Sequence, residues 1–388
     1  MSRIEADWLS RPATQAVCRA LTSKGAQALF VGGCVRNALL GLPVADIDLT
    51  TNARPEQVLE LAAAHKIKAI PTGIDHGTVT LVVEGIPHEV TTFRRDVATD
   101  GRRAVVAYSD SIEEDAARRD FTINALYARS DGQVLDPLGG LPDLQARRIR
   151  FIGQASDRIR EDYLRSLRFF RFLAWYGDPM GGVDPDALSA IASNLDGLDG
   201  LSRERIGTEI LKLMAAPDPV RAVAAMRQTG VFARVLPGCD DRALGPLVHL
   251  ESLAGANPES VRRLAVLGDM ECLGDLRLSK AAASRVATLR SAAVADQTPA
   301  ELGYRLGKSE ALDALLLRAA LLEQTWDHAV IDSVERGSSA IFPIRAKDLM
   351  PQVQGAELGA KLSELETKWI ISDFAMTKTQ LLADGGLT

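Results

Sequence analysis

The chain has 388 residues, 46% hydrophobic and 25% charged, a balance ordinary for a soluble globular protein and enough for two or three domains. Its net charge of −6 argues against a protein that coats nucleic acid nonspecifically. No apolar run approaches the ~18 residues needed to cross a bilayer, and the opening MSRIEADWLSRP lacks a secretory apolar core, so a cytoplasmic protein with no membrane partner is the expectation. Cys18, Cys34, Cys239 and Cys272 lie far apart and form no metal-ligand pattern, and the five histidines neither cluster nor precede an aspartate.

In chain order, residues 1–28 predict one helix, with Val17, Ala20, Leu21 and Ala28 on its apolar side. The stretch from Leu29 to Asn52, LFVGGCVRNALLGLPVADIDLTTN, reads as a short strand, a Gly-Gly turn, a short helix and a second strand carrying Asp46 and Asp48. Alternation along a strand puts these two carboxylates on one face. They repel unless protons or cations lie between them, and Mg²⁺ takes such oxygen ligands together with substrate phosphates. Gly32 and Gly33 permit positive φ and close approach of the backbone to a ligand, the helix start behind them favours an anion, and Arg36 adds a fixed positive charge. Taken singly, each feature reads as a turn or a solvated strand end. In this order they suggest nucleotide chemistry. The turn is neither a Walker A loop nor a dinucleotide-binding Gly-x-Gly-x-x-Gly.

Residues 54–65 read as a helix, and 67–70, 78–83 and 86–93 as strands, the last two forming a hairpin about Glu84-Gly85. Glu89 on that hairpin is either a third carboxylate beside the aspartates or an exposed strand charge. Three acids around two Mg²⁺ would suit nucleotidyl transfer. The polar, Arg-rich run 94–111 predicts a loop. A helix is expected over 111–129, with Asp120 and Asn124 on one face. There Arg119 could hold a phosphate and Asp120 a ribose hydroxyl, or the pair could form a surface salt bridge. The turn DPLGGLPDL follows, and from Gln154 helical periodicity runs to the end, with loops or boundaries at 177–184 and 335–339.

Eight arginines against three acids fall between residues 147 and 171. Within this run Glu161, Asp162, Arg165 and Arg168 share about 120° of a helix, while Tyr163, Leu164, Leu167 and Phe170 face a core. Such charges are either helix-stabilising pairs or a base reader. Cytosine and adenine each present an amino donor beside a ring-nitrogen acceptor. Asp162 would accept from the first and Arg165 donate to the second, a pattern that uracil and guanine reverse.

The segments GGCVRN, DIDLTT, HEVTTFRRD, RRDFTINALY, LDPLGGLPDL, REDYLRSLRFFRF and LSRERIGTEI, in that order, resemble the motifs of bacterial class II tRNA nucleotidyltransferases, the CCA-adding enzymes, and their poly(A) polymerase relatives. The resemblance implies an α+β fold: a polymerase-β-like nucleotidyltransferase head, with a mixed sheet and flanking helices, followed by an all-α neck, body and tail. It implies a head over 1–150, a base-reading neck over 151–215, a body over 216–300 and a tRNA-binding tail over 301–388. Motif by motif it makes Asp46 and Asp48 the metal ligands, with Glu89 as a third catalytic carboxylate. Gly32, Gly33, Arg36 and Arg119 would contact the phosphates and sugar, with Asp120 near the ribose. Asp162 and Arg165 would form the base template with Arg168 beside them, 136–140 the hinge, and Arg203 and Glu209 a brace for the neck. Asn37 stands where the family often has Asp, and no metal role falls to it. The implied activity is addition of C, C and A to the 3′ acceptor end of tRNA from CTP and ATP with Mg²⁺. Poly(A), CC-only and A-only enzymes share these motifs. A catalytically silent RNA-binding protein is the rival of another class, against which the intact Asp46 and Asp48 argue.

Overall fold

The computed structural model describes residues 2–100, 103–350 and 352–386 and divides into two compact units, Met1–Pro237 and Gly238–Thr388. In the first unit α1 (Asp7–Ser10) and α2 (Pro12–Thr22) replace the single helix expected over 1–28. Arg11 between them has ψ 134°, the extended conformation that a following proline enforces. Beyond α2 the chain turns at Gly25, with φ +87°, so it is not helical to residue 28.

The head sheet is built from β1 (Leu29–Val31), β2 (Asp48–Thr51), β3 (Lys68–Gly73), β4 (Thr78–Val83) and β5 (Ile86–Thr92), completed by β8 (Tyr127–Ala128) and β9 (Val134–Leu135). Their order is β3-β4-β5-β2-β1-β8-β9, with β2 and β5 parallel and the other pairs antiparallel, giving the expected mixed sheet. Glu84 and Gly85, both at positive φ, make the two-residue β4-β5 turn. Helix α3 (Gly33–Leu39) links β1 to β2, and α4 (Pro55–Ala64) packs with α2 on β4.

Two local expectations are corrected here. The run 94–111 is not a loop throughout: β6 (Arg94–Asp100) and β7 (Arg103–Tyr108) pair antiparallel, because backbone pairing in a ribbon needs no apolar face to announce it. The helix expected over 111–129 stops early. Its start, α5 (Ile112–Ala117), is capped by the Ser111 hydroxyl, which accepts from the Glu113 and Glu114 amides. Then the Asp120 carboxylate accepts from the Phe121 amide at 2.9 Å and from Asn124 Nδ2 at 2.9 Å. Such local bonds compete with the helix, and a 3₁₀ turn over Thr122–Asn124 leads into β8.

After β9 the Asp136 carboxylate accepts from the Gly140 and Leu141 amides, fixing the turn into α6 (Leu141–Gln145). Next come α7 (Ala155–Glu161) and α8 (Leu164–Tyr176). These are two helices rather than the single one expected across 160–168. Asp162 between them is extended, at φ −154°, and its carboxylate accepts from the Leu164 amide at 3.1 Å. Phe169 and Phe172 of α8 pack against Phe121, and Phe169 stacks on Phe151, seating α8 on the segment that follows α5. The unit continues with α9 (Pro185–Ala192) after the 177–184 loop, then α10 (Arg203–Met214), α11 (Val220–Gln228) and α12 (Val231–Val235).

The second unit is helical among its described residues: α13 (Leu244–Ala254), α14 (Ser260–Leu267), α15 (Met270–Leu273), α16 (Lys280–Val294), α17 (Pro299–Leu306), α18 (Lys308–Leu321), α19 (Ala329–Ser339), α20 (Ala346–Leu349), α21 (Ala356–Ile371) and α22 (Lys378–Asp384). The expected break at 335–339 lies inside α19. Gly337 is there for packing: a Cβ on it would lie 1.8 Å from the Ala300 carbonyl oxygen, so the glycine lets α19 approach α17. Between α13, α14 and α18 the side chains of Glu251, Arg262, Arg263 and Asp313 form a buried ion network. Among the described residues no helix is long and apolar enough to cross a membrane.

Candidate active site

A cleft of about 410 Å³ in the first unit gathers Gly32, Gly33, Arg36, Asp48, Glu89, Arg119, Asp120 and Arg168 into one wall-to-wall site. Five separate sequence motifs supply these residues, and the fold brings them together. Asp48 and Glu89 are partners across the parallel β2-β5 pair, so their side chains leave the same face of the sheet. Asp46 precedes β2 and is exposed, with Ile47 buried between the two aspartates. Burial, then Glu89, then Asp46 push the Asp48 carboxyl up to about 6, against the pull of Arg119. A carboxylate held among others in this way asks for a cation.

The opposite wall is positive. Arg119 donates through Nη2 to Asp115 Oδ2 at 2.9 Å and through Nε to the Tyr127 hydroxyl at 3.1 Å, and Tyr127 itself donates to Asp115 at 2.8 Å. Burial pushes the fully buried Asp115 up, but Arg119, Arg118 and the Tyr127 hydroxyl together hold its carboxyl below the usual range. Arg36, only 6% exposed, donates to Asn124 Oδ1, Asn37 Oδ1 and the Tyr176 hydroxyl, and its guanidinium lies 4.0 Å from the Tyr176 ring centre. Burial lowers its pKa. Gly32, at φ +70°, leaves the backbone open beside Arg119. Asp120 is bound by Arg168, whose Nε donates at 2.8 Å. Burial opposes its charge, and Arg168 and Asn124 overcome that, so its carboxyl stays below the usual range.

Asp162 and Arg165 do not line this cleft, but Arg165 reaches its edge: its Nη2 donates at 3.1 Å to the carbonyl of Arg118, a residue that borders the cleft. Arg165 also pairs with Glu161, and Asp162 with Arg205 at 2.6 Å. Arg168 turns to Asp120 and into the cleft. Glu209 takes Arg171 of α8 at 2.6 Å, and Arg205 ties α10 to Asp162.

Sequence reasoning missed the residues that hold the site's charged side chains: Asp115, Tyr127 and Tyr176 on the arginines, and Arg205 on Asp162. Two signals were present. Asp115 and Arg119 are four apart, and Arg168, Phe172 and Tyr176 recur at four-residue spacing along α8. A larger cleft of about 730 Å³, bordered by Arg150 and Asp184, contains none of the expected residues.

Sheet, cleft and adjoining charged neck define a nucleotide-handling class of protein, and the relatives agree. A family profile described as poly A polymerase head domain matches residues 28–150, and one described as probable RNA and SrmB-binding site of polymerase A matches 182–242. Human mitochondrial CCA tRNA nucleotidyltransferase 1 is 32% identical over 374 residues, covering 91% of this chain and 85% of the relative. The CCA-adding enzyme of Geobacillus thermodenitrificans is 39% identical over 228 residues, 58% of this chain and 54% of the relative. The crystal structure of the Bacillus stearothermophilus CCA-adding enzyme in complex with CTP is similar with a TM-score of 0.75 and 28% identity, covering 94% of each chain. The chain belongs to the CCA tRNA nucleotidyltransferase family.

Proposed function

We propose that the protein adds C, C and A to the 3′ end of tRNA from CTP and ATP without a nucleic-acid template, releasing pyrophosphate. The observation that carries this is the Asp48–Glu89 pair facing two held arginines across one cleft, with Arg165 at its edge. Head, neck, body and tail are assigned to 1–150, 151–215, 216–300 and 301–388, with the tail gripping tRNA. A cytoplasmic location belongs to the same proposal, supported by the free, buried thiols of Cys18 and Cys34.

Mg²⁺ fits the donor set. Among the described residues no three His, Cys, Asp or Glu side chains are grouped to hold a metal by themselves. That suits Mg²⁺, which is commonly held by one or two carboxylates and substrate phosphates. Asp46 and Asp48 would hold it, with Glu89 paired across the sheet from Asp48. When bound, it supplies a lowered pKa for the attacking ribose hydroxyl and charge for the leaving pyrophosphate. The chain's own residues do the rest. Arg119, clamped by Asp115 and Tyr127, and Arg36, clamped by Asn124 and Tyr176, present fixed positive charge to the triphosphate without reorganising. Gly32 lets the backbone approach it. Asp120, steadied by Arg168, stands where a ribose hydroxyl can donate to it. Asp162 and Arg165 take the amino donor and ring acceptor shared by cytosine and adenine.

The test is product length on a tRNA lacking its 3′ end. CTP alone should add two residues, ATP alone none, and both together three. The head profile's poly(A) polymerase description supports a second reading, under which ATP alone gives a long ladder. No incorporation with any nucleotide would point to a silent RNA-binding protein.

A further inference from the structure

The second unit contains a feature that nucleotide addition does not use. Cys239 and Cys272, far apart in sequence, meet with their sulfurs 2.7 Å apart. The sequence spacing gave no sign of this, because the approach is made by backbone. The Asp240 amide donates to the Leu267 carbonyl at 2.8 Å, laying the start of the unit along the end of α14, and α15 then turns Cys272 back toward Cys239. Gly268 makes room: a Cβ there would lie 2.0 Å from the Cys272 sulfur and 3.4 Å from that of Cys239. Gly238, at φ +80°, lets the chain turn beside Cys272, whose Cβ lies 3.6 Å from where its own would be. Both thiols are partly exposed, so a small oxidant can reach them.

We propose that Cys239 and Cys272 are a reversible oxidation site, closed to an intramolecular disulfide by hydrogen peroxide and reopened by a dithiol reductant. Movement of less than about 1 Å brings the sulfurs to bonding distance. The Cys272 thiolate attacks one peroxide oxygen, the O–O bond breaks, and water leaves with the thiol proton, giving a sulfenic acid. The Cys239 sulfur then displaces the hydroxyl, which leaves as a second water with the Cys239 proton. Two thiols and one peroxide become one disulfide and two waters, each sulfur giving up one electron. Burial, then the neighbouring Cys272, push the Cys239 thiol up, so Cys239 is not the thiol that meets the peroxide first. Burial pushes Cys18 up to about 12 and Cys34 to about 11, so these two stay protonated and do not compete. The closed bond staples the loop carrying α13 and α14 within the second unit.

The full-length protein is treated with hydrogen peroxide, denatured in N-ethylmaleimide and mapped by peptide mass. The expected result is loss of label from Cys239 and Cys272 alone, a linked peptide joining them, and full relabelling after dithiothreitol. The unfolding midpoint of the oxidised protein should rise by about 5 °C or more over its reduced form. Cys272→Ser and Cys239→Ser should each abolish both the linked peptide and the rise. Four labelled cysteines after oxidation, a sulfinic acid in place of the link, links only between two chains, or an unchanged midpoint would each overturn the proposal.

Discussion

Among the described residues, the buried charges of the second unit and those of the cleft in the first are solved differently. In the second unit, Glu251 faces both Arg262 and Arg263, and Asp313 faces Arg262 and Arg285, so every acid has a guanidinium. In the first unit, Asp48 stands beside Glu89 and near Asp46, and its like-charged neighbours add to the cost of its burial. The arginines of that cleft are spent on Asp115, Asn124 and Asp120. A balanced cluster is scaffold, because its energy is complete within the fold. An unbalanced one is a site, because only something from outside completes it.

The contrast can be broken most directly at Asp48. Asp48→Asn removes a charge and keeps the shape. Nucleotide addition should fall by about 10³-fold or more, the scale of losing metal-borne stabilisation of the transition state, while the fold persists. Single-turnover rates across Mg²⁺ concentrations, beside a thermal melt, check both halves. Near-normal turnover at limiting Mg²⁺ would remove Asp48 from the mechanism.

Glu251→Gln should do the reverse. It removes the buried charge that faces both Arg262 and Arg263, costing about 3–5 kcal/mol of stability in urea unfolding. Turnover per folded molecule, measured well below the transition, should hold. If this variant kept its stability, the second cluster would not be scaffold.

A smaller effect sharpens the comparison at the cleft's edge. Asp162→Ala should cost CTP and ATP about ten- to a hundredfold in kcat/KM, the worth of a hydrogen bond to a charged group. UTP and GTP should lose less, so discrimination narrows. An Asp162→Ala enzyme that rejects UTP as strongly as its parent would show that the base is read elsewhere.

The smallest effect is in pH. Asp48 has its folded pKa raised to about 6 from an ordinary 3.8. The folded state therefore binds its proton more tightly than the unfolded state does. The stability this provides is fully present below about 4 and lost as pH rises through about 6. Metal-free protein should lose on the order of 1–3 kcal/mol through this group between pH 4 and 8. Asp48→Asn should flatten that part of the profile, and Mg²⁺ should restore stability at pH 8 but not at pH 4. Melts with and without chelator read this directly, and an Asp48→Asn profile parallel to the parent's would refute it.

The sequence by itself determined the chemistry of the site. Residue types at Gly32-Gly33, Arg36, Asp46-Asp48, Arg119-Asp120 and Asp162–Arg165 are local, and their patterns can be read from neighbours a few positions away. It also determined the hairpin at Glu84-Gly85 and the change from mixed to helical structure, because turn chemistry and periodicity are short-range. Long-range partners decided the rest. That Glu89 stands beside Asp48 rather than loose on a strand follows from the parallel β2-β5 register, which no local pattern encodes. The break at Asp162 and the early end of α5 came from side chains capturing backbone amides in competition with the helix. Gly337 read as a breaker because its reason, the carbonyl of Ala300, lies on another helix. Cys239 and Cys272 read as unrelated for the same reason. Composition fixes what each residue can do, and only the packed backbone fixes which residues it does it with.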